Sequence, residues 1–173
     1  MSRILCLPLI FLLLSKSYAA GVPGLSFGKG EINKLINTVV DVIVSEKGVS
    51  NEVNANKKES SDGTGFIIDE NGYIVTNCHV IDSLQKIKII LSDGSEYIAK
   101  IIGKDERSDI ALLKIDTNIK LPFVQFADSA KVEIGDPVIA IGNPFGFGKT
   151  VTSGIVSYKG RNLSNQISEL GVG

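Results

Sequence analysis

Short apolar runs separated by closely spaced turn residues make up the sequence after residue 62, and they constrain the fold more than any other feature. Runs of this length suit β-strands and are too short for most helices. Asn71-Gly72 separates the first two runs, and this dipeptide favours a two-residue hairpin turn. We predict strands at 65–68, 73–76, 87–91, 97–102, 110–115, 138–141 and 151–158. Such a succession is typical of an all-β barrel or sandwich, not of alternating strands and helices.

Two segments of different character precede these strands. Residues 20–30 are glycine-rich and aperiodic, which indicates a flexible entry segment. From Glu31 onward, apolar residues recur at helical spacing and predict a short helix that runs into the β-branched stretch 39–44. Residues 46–62 are polar and aperiodic, so we expect a long exposed loop there.

Residues 1–19 have the pattern of a secretory signal peptide. Arg3 supplies a positive start, residues 4–14 are apolar, and Ser17 and Ala19 place small residues before a cut after Ala19. A helix over this apolar stretch would span about 16 Å, roughly half of a ~30 Å hydrocarbon core. We therefore expect export with cleavage, and membrane contact only if the segment is retained.

Composition excludes several classes of function. The chain has 173 residues, with 18 Lys and Arg against 19 Asp and Glu, and no basic run is longer than Lys57-Lys58. This balance argues against a nucleic-acid-binding protein. One histidine and two cysteines are too few for a zinc site, and we expect no metal or organic cofactor. Loss of the leader would remove Cys6 and leave Cys78 without an intrachain disulfide partner.

The sole histidine and one aspartate are the candidate catalytic residues. His79 follows directly on the end of an apolar strand, and Asp109 lies at the mouth of another. An isolated carboxylate there would be costly to desolvate, so Asp109 needs a hydrogen-bonded partner. If it accepts a hydrogen bond from Nδ1 of His79, Nε2 can act as a base toward a nucleophile. A structural histidine beside an unrelated strand-edge aspartate is the alternative, and the pattern alone leaves both open.

Five segments in a fixed order add a family resemblance. They are GTGFII (63–68), GYIVTNCHV (72–80), SDIALLKI (108–115), GDPVIAIGNPFG (135–146) and VTSGIV (151–156). Together they resemble the HtrA (DegP-like) trypsin-fold serine endoproteases over residues 31–161. The resemblance implies an all-β fold of two trypsin-like antiparallel barrels with the active site between them. It also implies that His79 is the general base, that Asp109 orients it, and that 46–62 is a loop for assembly and regulation.

The resemblance further implies a periplasmic protein that acts on unfolded or extended polypeptides, alone or as a homo-oligomer. Cys78 departs from the small or amide residue expected before the histidine. A Cys78–His79 dyad is disfavoured, because successive side chains on a strand point to opposite faces.

The nucleophile of this family does not occur in the sequence. It lies in a Gly-Asn-Ser-Gly-Gly-Pro segment, which is absent from these 173 residues. Ser153 falls in a strand-like run, and Ser157, Ser164 and Ser168 have no Gly-x-Ser-x-Gly elbow around them. The oxyanion hole, formed beside that serine, would be missing as well. We therefore expect a chain truncated before its nucleophile and inactive by itself.

The expected organisation follows from these assignments. Residues 1–19 form the signal peptide, 20–62 the helix and long loop, 63–120 a complete first barrel, and 121–173 an incomplete second barrel. An incomplete barrel exposes unpaired strand edges, so we expect marginal stability and a tail, 162–173, that does not pack.

Three alternatives remain open. The exposed edges would suit a non-catalytic, chaperone-like module that binds extended peptides. A complementing C-terminal chain would instead make this the half of a split protease. Gly148-Lys149-Thr150 nearly fits a phosphate-binding loop, but the first glycine is offset and a β-branched run follows in place of a helix.

Overall fold

The structure is a computed structural model that describes residues 28–45, 63–81, 86–143 and 148–159, together with the backbone of residues 11–13. The predicted loop 46–62 and the predicted tail 162–173 lie outside the described residues. The strands are β1 Phe11–Leu13, β2 Val39–Ser45, β3 Gly63–Asp69, β4 Tyr73–Thr76, β5 Lys86–Ile90, β6 Glu96–Asp105, β7 Ile110–Ile115, β8 Pro137–Gly142 and β9 Thr150–Ile155. One α-helix, α1, spans Lys29–Ile36, and single 3₁₀ turns occur at Cys78–Val80 and Ser129–Lys131.

Six strands close into an antiparallel barrel in the order β2-β3-β4-β7-β6-β5. Closure depends on β2, which pairs with β3 on one side and with β5 on the other. Alternate residues of each strand point inward, because the side-chain period of a strand is two. The interior is filled by Val40, Val42, Ile67, Ile74, Val80, Ile81, Ile87, Ile89, Leu91, Ala99, Ala111, Leu113, Ile115 and Leu121. The predicted all-β fold with an antiparallel barrel and a short helix is confirmed.

The barrel begins earlier in the chain than the sequence analysis placed it. The predicted barrel range started at residue 63, whereas β2 ends at Ser45 and supplies the closing strand. The partner that closes it, β5, begins at Lys86, so nothing in the local sequence around β2 indicates the pairing. The long segment between β2 and β3 is therefore an insertion between two neighbouring strands of one barrel.

Helix α1 begins two residues before the predicted start at Glu31, because Glu31 serves as a cap. Its Oε2 accepts a 3.4 Å hydrogen bond from the backbone N–H of Gly28. A side chain in the first turn that satisfies this exposed donor fixes where the helix starts. At the other end, the Thr38 hydroxyl donates to the Leu35 carbonyl at 2.7 Å and ends the helix before β2.

A second sheet, in the order β1-β8-β9, lies against the outside of the barrel. Val39 of β2 points out of the barrel and forms a buried cluster with Ile139 and Ile141 of β8. Helix α1 covers this cluster with Ile32, Leu35 and Ile36. Burying a side chain of this size stabilises the fold by roughly 1.5–3 kcal/mol. The cluster therefore holds α1, the barrel and β8 together.

The outer strands of the second sheet differ in their surroundings. All residues of β9 are exposed, and among the strands that the structure describes β9 forms one edge of the sheet. On the other side, β1 pairs with β8 from Phe11↔Ile141 to Leu13↔Ile139. The sequence pattern predicts that these residues belong to a secretory leader outside the fold. Their backbone instead pairs with a strand that would otherwise present a free edge, while their role as part of a signal peptide stays a prediction.

Lys149, the lysine of the near-match to a phosphate-binding loop, is already engaged. Its Nζ donates to the carbonyls of Ile36 at 2.9 Å and Val39 at 2.6 Å. The chain continues from it into the strand β9 and not into a helix. This arrangement argues against nucleotide binding, because a phosphate-binding loop must open a helix. No helix in the described part of the chain is long and apolar enough to cross a membrane.

Candidate active site

His79 lies in the 3₁₀ turn that follows β4. The turn begins at Cys78 and is preceded by Asn77, which keeps an extended backbone and is 7% exposed. Val80, which directly follows His79, is buried in the barrel and anchors the turn. The histidine thus stands on the rim of the barrel, in a turn held by buried Asn77 before it and buried Val80 after it.

Asp109 is the last residue before β7 and has a left-handed backbone, with φ at 55°. Few residues other than glycine adopt this conformation, although aspartate tolerates it better than most. The Asp109 carbonyl accepts hydrogen bonds from Asn77 Nδ2 at 2.9 Å and from the Cys78 N–H at 3.2 Å. These two bonds tie the aspartate to the turn that carries His79. Strain of this kind is concentrated at functional sites.

The structure brings the two predicted site residues together. Nδ1 of His79 lies 2.5 Å from Oδ2 of Asp109, and the backbone N–H of His79 donates to Oδ1 at 2.9 Å. The side chains are 33% and 42% exposed. Within the described residues, no side chain hydrogen-bonds to Nε2 of His79. In the tautomer that carries its proton on Nδ1, the ring donates to Asp109 and Nε2 is the nitrogen that can accept a proton.

Partial burial of Asp109 acts to raise its pKa, but hydrogen bonds from the backbone and the ring of His79 outweigh this effect. The pKa of Asp109 is therefore below its ordinary value, and the carboxylate is charged at neutral pH. The negative charge of Asp109 therefore lies directly beside the imidazole ring of His79.

A cleft of about 590 Å³ opens beside the pair. It is lined by Cys78, His79, Val80, Ile81, Lys104, Glu106 and Asp109. Lys104 and Glu106 form a 2.8 Å ion pair on its rim, and this pair lowers the pKa of Glu106. In the described part of the chain, no three His, Cys, Asp or Glu side chains cluster closely enough to hold a metal ion.

Cys78 lines the cleft but is poorly suited to act as a nucleophile. Its Sγ lies 3.0 Å from the Ile110 carbonyl, to which it donates. Burial raises the pKa of the thiol, and the Asp109 carboxylate adds to the increase. Since the thiolate is the reactive form, this thiol is less reactive at neutral pH than an ordinary cysteine. The residue lies in a 3₁₀ turn, so the alternation of strand side chains used in the sequence analysis does not apply to it.

Asn77 and Glu106 belong to the site and were not singled out from the sequence. Asn77 carries a detectable signal, because a polar residue between a buried strand and the only histidine needs a specific partner. Glu106 carries none, because it lies in a charged turn like many others on protein surfaces.

Comparison with known proteins places the chain among peptidases. Residues 63–170 match the family described as trypsin-like peptidase domain. A probable periplasmic serine endoprotease DegP-like of Rickettsia prowazekii is 60% identical over 102 residues, which are 58% of this chain and 20% of the relative. The protein with the same description in Rickettsia conorii is 57% identical over 113 residues, 65% of this chain and 22% of the relative.

A more distant organism gives the same result. The probable periplasmic serine protease do/HhoA-like of Haemophilus influenzae is 54% identical over 104 residues, 60% of this chain and 22% of the relative. In each of these three comparisons, the matched part of the chain spans about a fifth of the length of the relative.

Proposed function

The chain belongs to the trypsin-like peptidase family, as an HtrA/DegP-like member, and from this premise we propose that His79 and Asp109 are the general base and orienting carboxylate of a serine endopeptidase. The 2.5 Å contact between His79 Nδ1 and Asp109 Oδ2 is the observation that carries the proposal. It leaves the opposite ring nitrogen available for proton transfer.

The reaction proposed is acyl transfer from a peptide to a serine and then to water. Nε2 of His79 takes the serine proton while the oxygen attacks the peptide carbonyl, and the Asp109 carboxylate stabilises the imidazolium. The imidazolium then gives its proton to the departing amine. A water molecule, deprotonated by the same nitrogen, releases the acyl group and restores the serine.

The serine and the oxyanion-hole donors come from outside these 173 residues. No Gly-Asn-Ser-Gly-Gly segment occurs in the sequence, and no serine hydroxyl hydrogen-bonds to His79 among the described residues. Enzymes that lose their triad retain about 10³–10⁴-fold acceleration from the oxyanion hole and substrate binding alone. The oxyanion donors would be lost with the serine segment, so these residues by themselves are proposed to be inactive.

The relatives are described as periplasmic serine endoproteases. By extension, the proposed substrates are unfolded or extended polypeptides, and the proposed location is the periplasm. Export would depend on residues 1–19, and a cut after Ala19 is checked by sequencing the amino terminus of the protein recovered from that compartment.

A fusion tests the catalytic assignment. The fusion joins two pieces. The first is the present chain, up to the end of the region that matches the Rickettsia prowazekii relative, and the second is the part of that relative that follows its matched 102 residues. We expect the fusion to cleave an unfolded protein, His79→Ala to lower kcat by about 10⁶-fold and Asp109→Asn by about 10⁴-fold. Lys120→Ala, which breaks an exposed ion pair with Glu70 outside the residues that line the cleft, is the control and should leave kcat unchanged. Full activity of the His79→Ala fusion would disprove the proposed role.

A second candidate function is non-catalytic capture of extended peptides. The exposure of every residue of β9, at the edge of its sheet, favours it, because an edge strand can pair with another chain. Binding of unfolded protein by the 173-residue chain without cleavage would support this function. Ser153→Pro, which interrupts the outer edge of β9, should then abolish the binding.

A further inference from the structure

The segment Gly63-Thr64-Gly65 at the start of β3 has no part in the mechanism above, although it is closely packed. Thr64 is 1% exposed and pairs with Asp41 of β2. A Cβ on Gly65 would lie 3.1 Å from the Val75 carbonyl, so this part of β3 lies close against β4. The two glycines therefore allow the barrel to close tightly around Thr64.

Thr64 uses both of its oxygens in buried hydrogen bonds. Its carbonyl accepts from the Thr76 hydroxyl at 2.9 Å, and its own hydroxyl accepts from the Asn143 N–H at 3.0 Å. Thr76 is 1% exposed and Asn143 is 6% exposed, so water does not compete with either bond. One residue thus joins two parts of the molecule that lie far apart in sequence.

The first bond leads to the candidate base. Thr76 is the last residue of β4 and stands three positions before His79. On the far side of His79, Val80 packs against β3, and a Cβ on Gly63 would lie 2.5 Å from its Cγ1. The start of β3 therefore contacts the histidine-bearing turn both before and after the histidine.

The second bond leads to the second sheet. Asn143 directly follows β8, and its Oδ1 accepts a 2.8 Å hydrogen bond from the Gly148 N–H, just before β9. Asn143 thereby holds together the two ends of the connection between β8 and β9. The Thr64–Asn143 bond therefore attaches this hairpin to the barrel near the histidine-bearing turn, in addition to the Val39–Ile139–Ile141 cluster and the two Lys149 bonds.

We propose that Thr64 is a positioning residue that sets the placement of the β8–β9 hairpin relative to His79. The inference rests on the proposed function, in which a nucleophile that follows β9 in the polypeptide must reach Nε2 of His79. Misplacement of reacting groups by about 1 Å can cost 10²-fold in rate. Loss of a buried contact between the two sheets near the histidine is therefore expected to lower the rate.

The residue type matches this role. Valine has the same shape as threonine but no hydroxyl, so Thr64→Val would leave the Asn143 N–H buried without an acceptor while the Thr64–Thr76 bond persists. Serine keeps the hydroxyl and should preserve both bonds. Thr152, exposed on β9 and opposite Ala140, offers a matched Thr→Val control that touches neither bond.

The test uses residual dipolar couplings and amide exchange of the full 173-residue chain. We expect one alignment tensor to fit the N–H vectors of both the barrel and β8–β9 in three proteins: the unmodified chain, the Thr64→Ser variant and the Thr152→Val variant. In Thr64→Val we expect the β8–β9 vectors to depart from that tensor. The Asn143 amide should exchange about tenfold faster or more, as loss of one buried hydrogen bond implies, with β6 and β7 unchanged.

Two results would overturn the inference: an unchanged Asn143 exchange rate in Thr64→Val, or faster exchange with β8–β9 still on the common tensor. If Thr64→Val does not fold, Thr64→Ala is measured against the same criteria.

The fusion separates this inference from the proposed function. Thr64→Val should lower kcat by about 10²-fold with KM unchanged, and Thr64→Ser should restore it. Loss of activity in His79→Ala but not in Thr64→Val would overturn the positioning role alone. Activity unaffected by either substitution would overturn the proposed function, while the dipolar couplings would still decide the placement of the hairpin.

Discussion

Asp109 holds His79 by two different groups, accepting the backbone N–H at Oδ1 at 2.9 Å and facing the ring Nδ1 with Oδ2 at 2.5 Å. One bond fixes the position of the turn and the other fixes the rotation of the ring. Because both come from one carboxylate, the ring cannot turn without disturbing its own backbone. The pair is therefore a rigid unit before any substrate arrives, as preorganised catalysis requires.

The first prediction concerns acid stability. The pKa of Asp109 is lowered in the folded state, so its contribution to the free energy of unfolding is complete above the ordinary value of 3.8 and is lost as the pH falls through the folded pKa. Asp109→Asn should flatten the pH dependence of unfolding between about pH 5 and pH 2. Urea unfolding at successive pH values measures this.

Asp116 provides the comparison for that experiment. Its pKa is also lowered, by a hydrogen bond from Lys100, but the Lys100 and Asp116 side chains are 72% and 75% exposed. High salt should therefore remove the effect of Asp116→Asn and leave much of the effect of Asp109→Asn. Parallel stability curves for Asp109→Asn and the unmodified protein would contradict the prediction.

The second prediction concerns the close packing of Gly63. Gly63→Ala should destabilise the protein by about 1–3 kcal/mol, because the added Cβ would stand 2.5 Å from Cγ1 of Val80. Gly103→Ala is the control. A Cβ added at Gly103 would meet no atom within 4 Å, so this variant should change the free energy of unfolding by less than about 0.5 kcal/mol.

A double-mutant cycle identifies the cause of that loss. Val80→Ala removes the two methyl groups that the new Cβ would meet, so the cost of Gly63→Ala should fall sharply in its presence. Denaturant midpoints of the four proteins provide the measurement. Additive costs would show that the clash with Val80 is not the reason.

The third prediction concerns Lys149, whose pKa is lowered by burial against the opposing effects of Asp41 and Asp93. Lys149→Met should cost about 1–3 kcal/mol, because the two partly buried carbonyls of Ile36 and Val39 would lose their donor. Amide exchange should rise first in β8 and β9, which this lysine ties to the end of α1. Lys100→Met, at an exposed ion pair, should cost at most about 1 kcal/mol. Equal costs for the two variants would refute the structural role of Lys149.

The fourth prediction concerns the thiol of Cys78. In a Cys6→Ser background it is the sole thiol, and it should react with iodoacetamide at least about tenfold more slowly in the folded protein than in urea, since burial raises its pKa. Asp109→Asn should accelerate the reaction of the folded protein, because the carboxylate contributes to the raised pKa. Equal rates in the folded and unfolded states would count against a partly buried thiol with a raised pKa.

Local features of the fold were predictable from the sequence, because hairpins depend on residues next to one another. Asn71-Gly72 marked the β3–β4 turn, where Gly72 takes a φ of 97°, and the predicted range 110–115 coincides with β7. The proximity of His79 and Asp109 followed from the chemistry of a desolvated carboxylate and from the family resemblance.

Contacts between distant segments were not predictable. The bond between Thr64 and Asn143 spans 79 residues, and closure of the barrel by β2 depends on a partner strand beyond the long segment that follows it. The positive φ of Asp109 also had no signal, because aspartate occurs in many turns without adopting it. Each of these features is set by tertiary packing, which overrides local preference.

The left-handed backbone at position 109 restricts which amino acids can evolve there, independently of any chemical role. Among the twenty residues, glycine adopts such a φ routinely, and asparagine and aspartate adopt it more readily than most others. Of those three, aspartate alone is an anion. Glutamate would keep the charge but would meet an unfavourable backbone and place its carboxylate one methylene farther from His79. A change in only the last base of the aspartate codon, to glutamate, would therefore keep the negative charge at position 109 but strain the backbone and displace the carboxylate from His79.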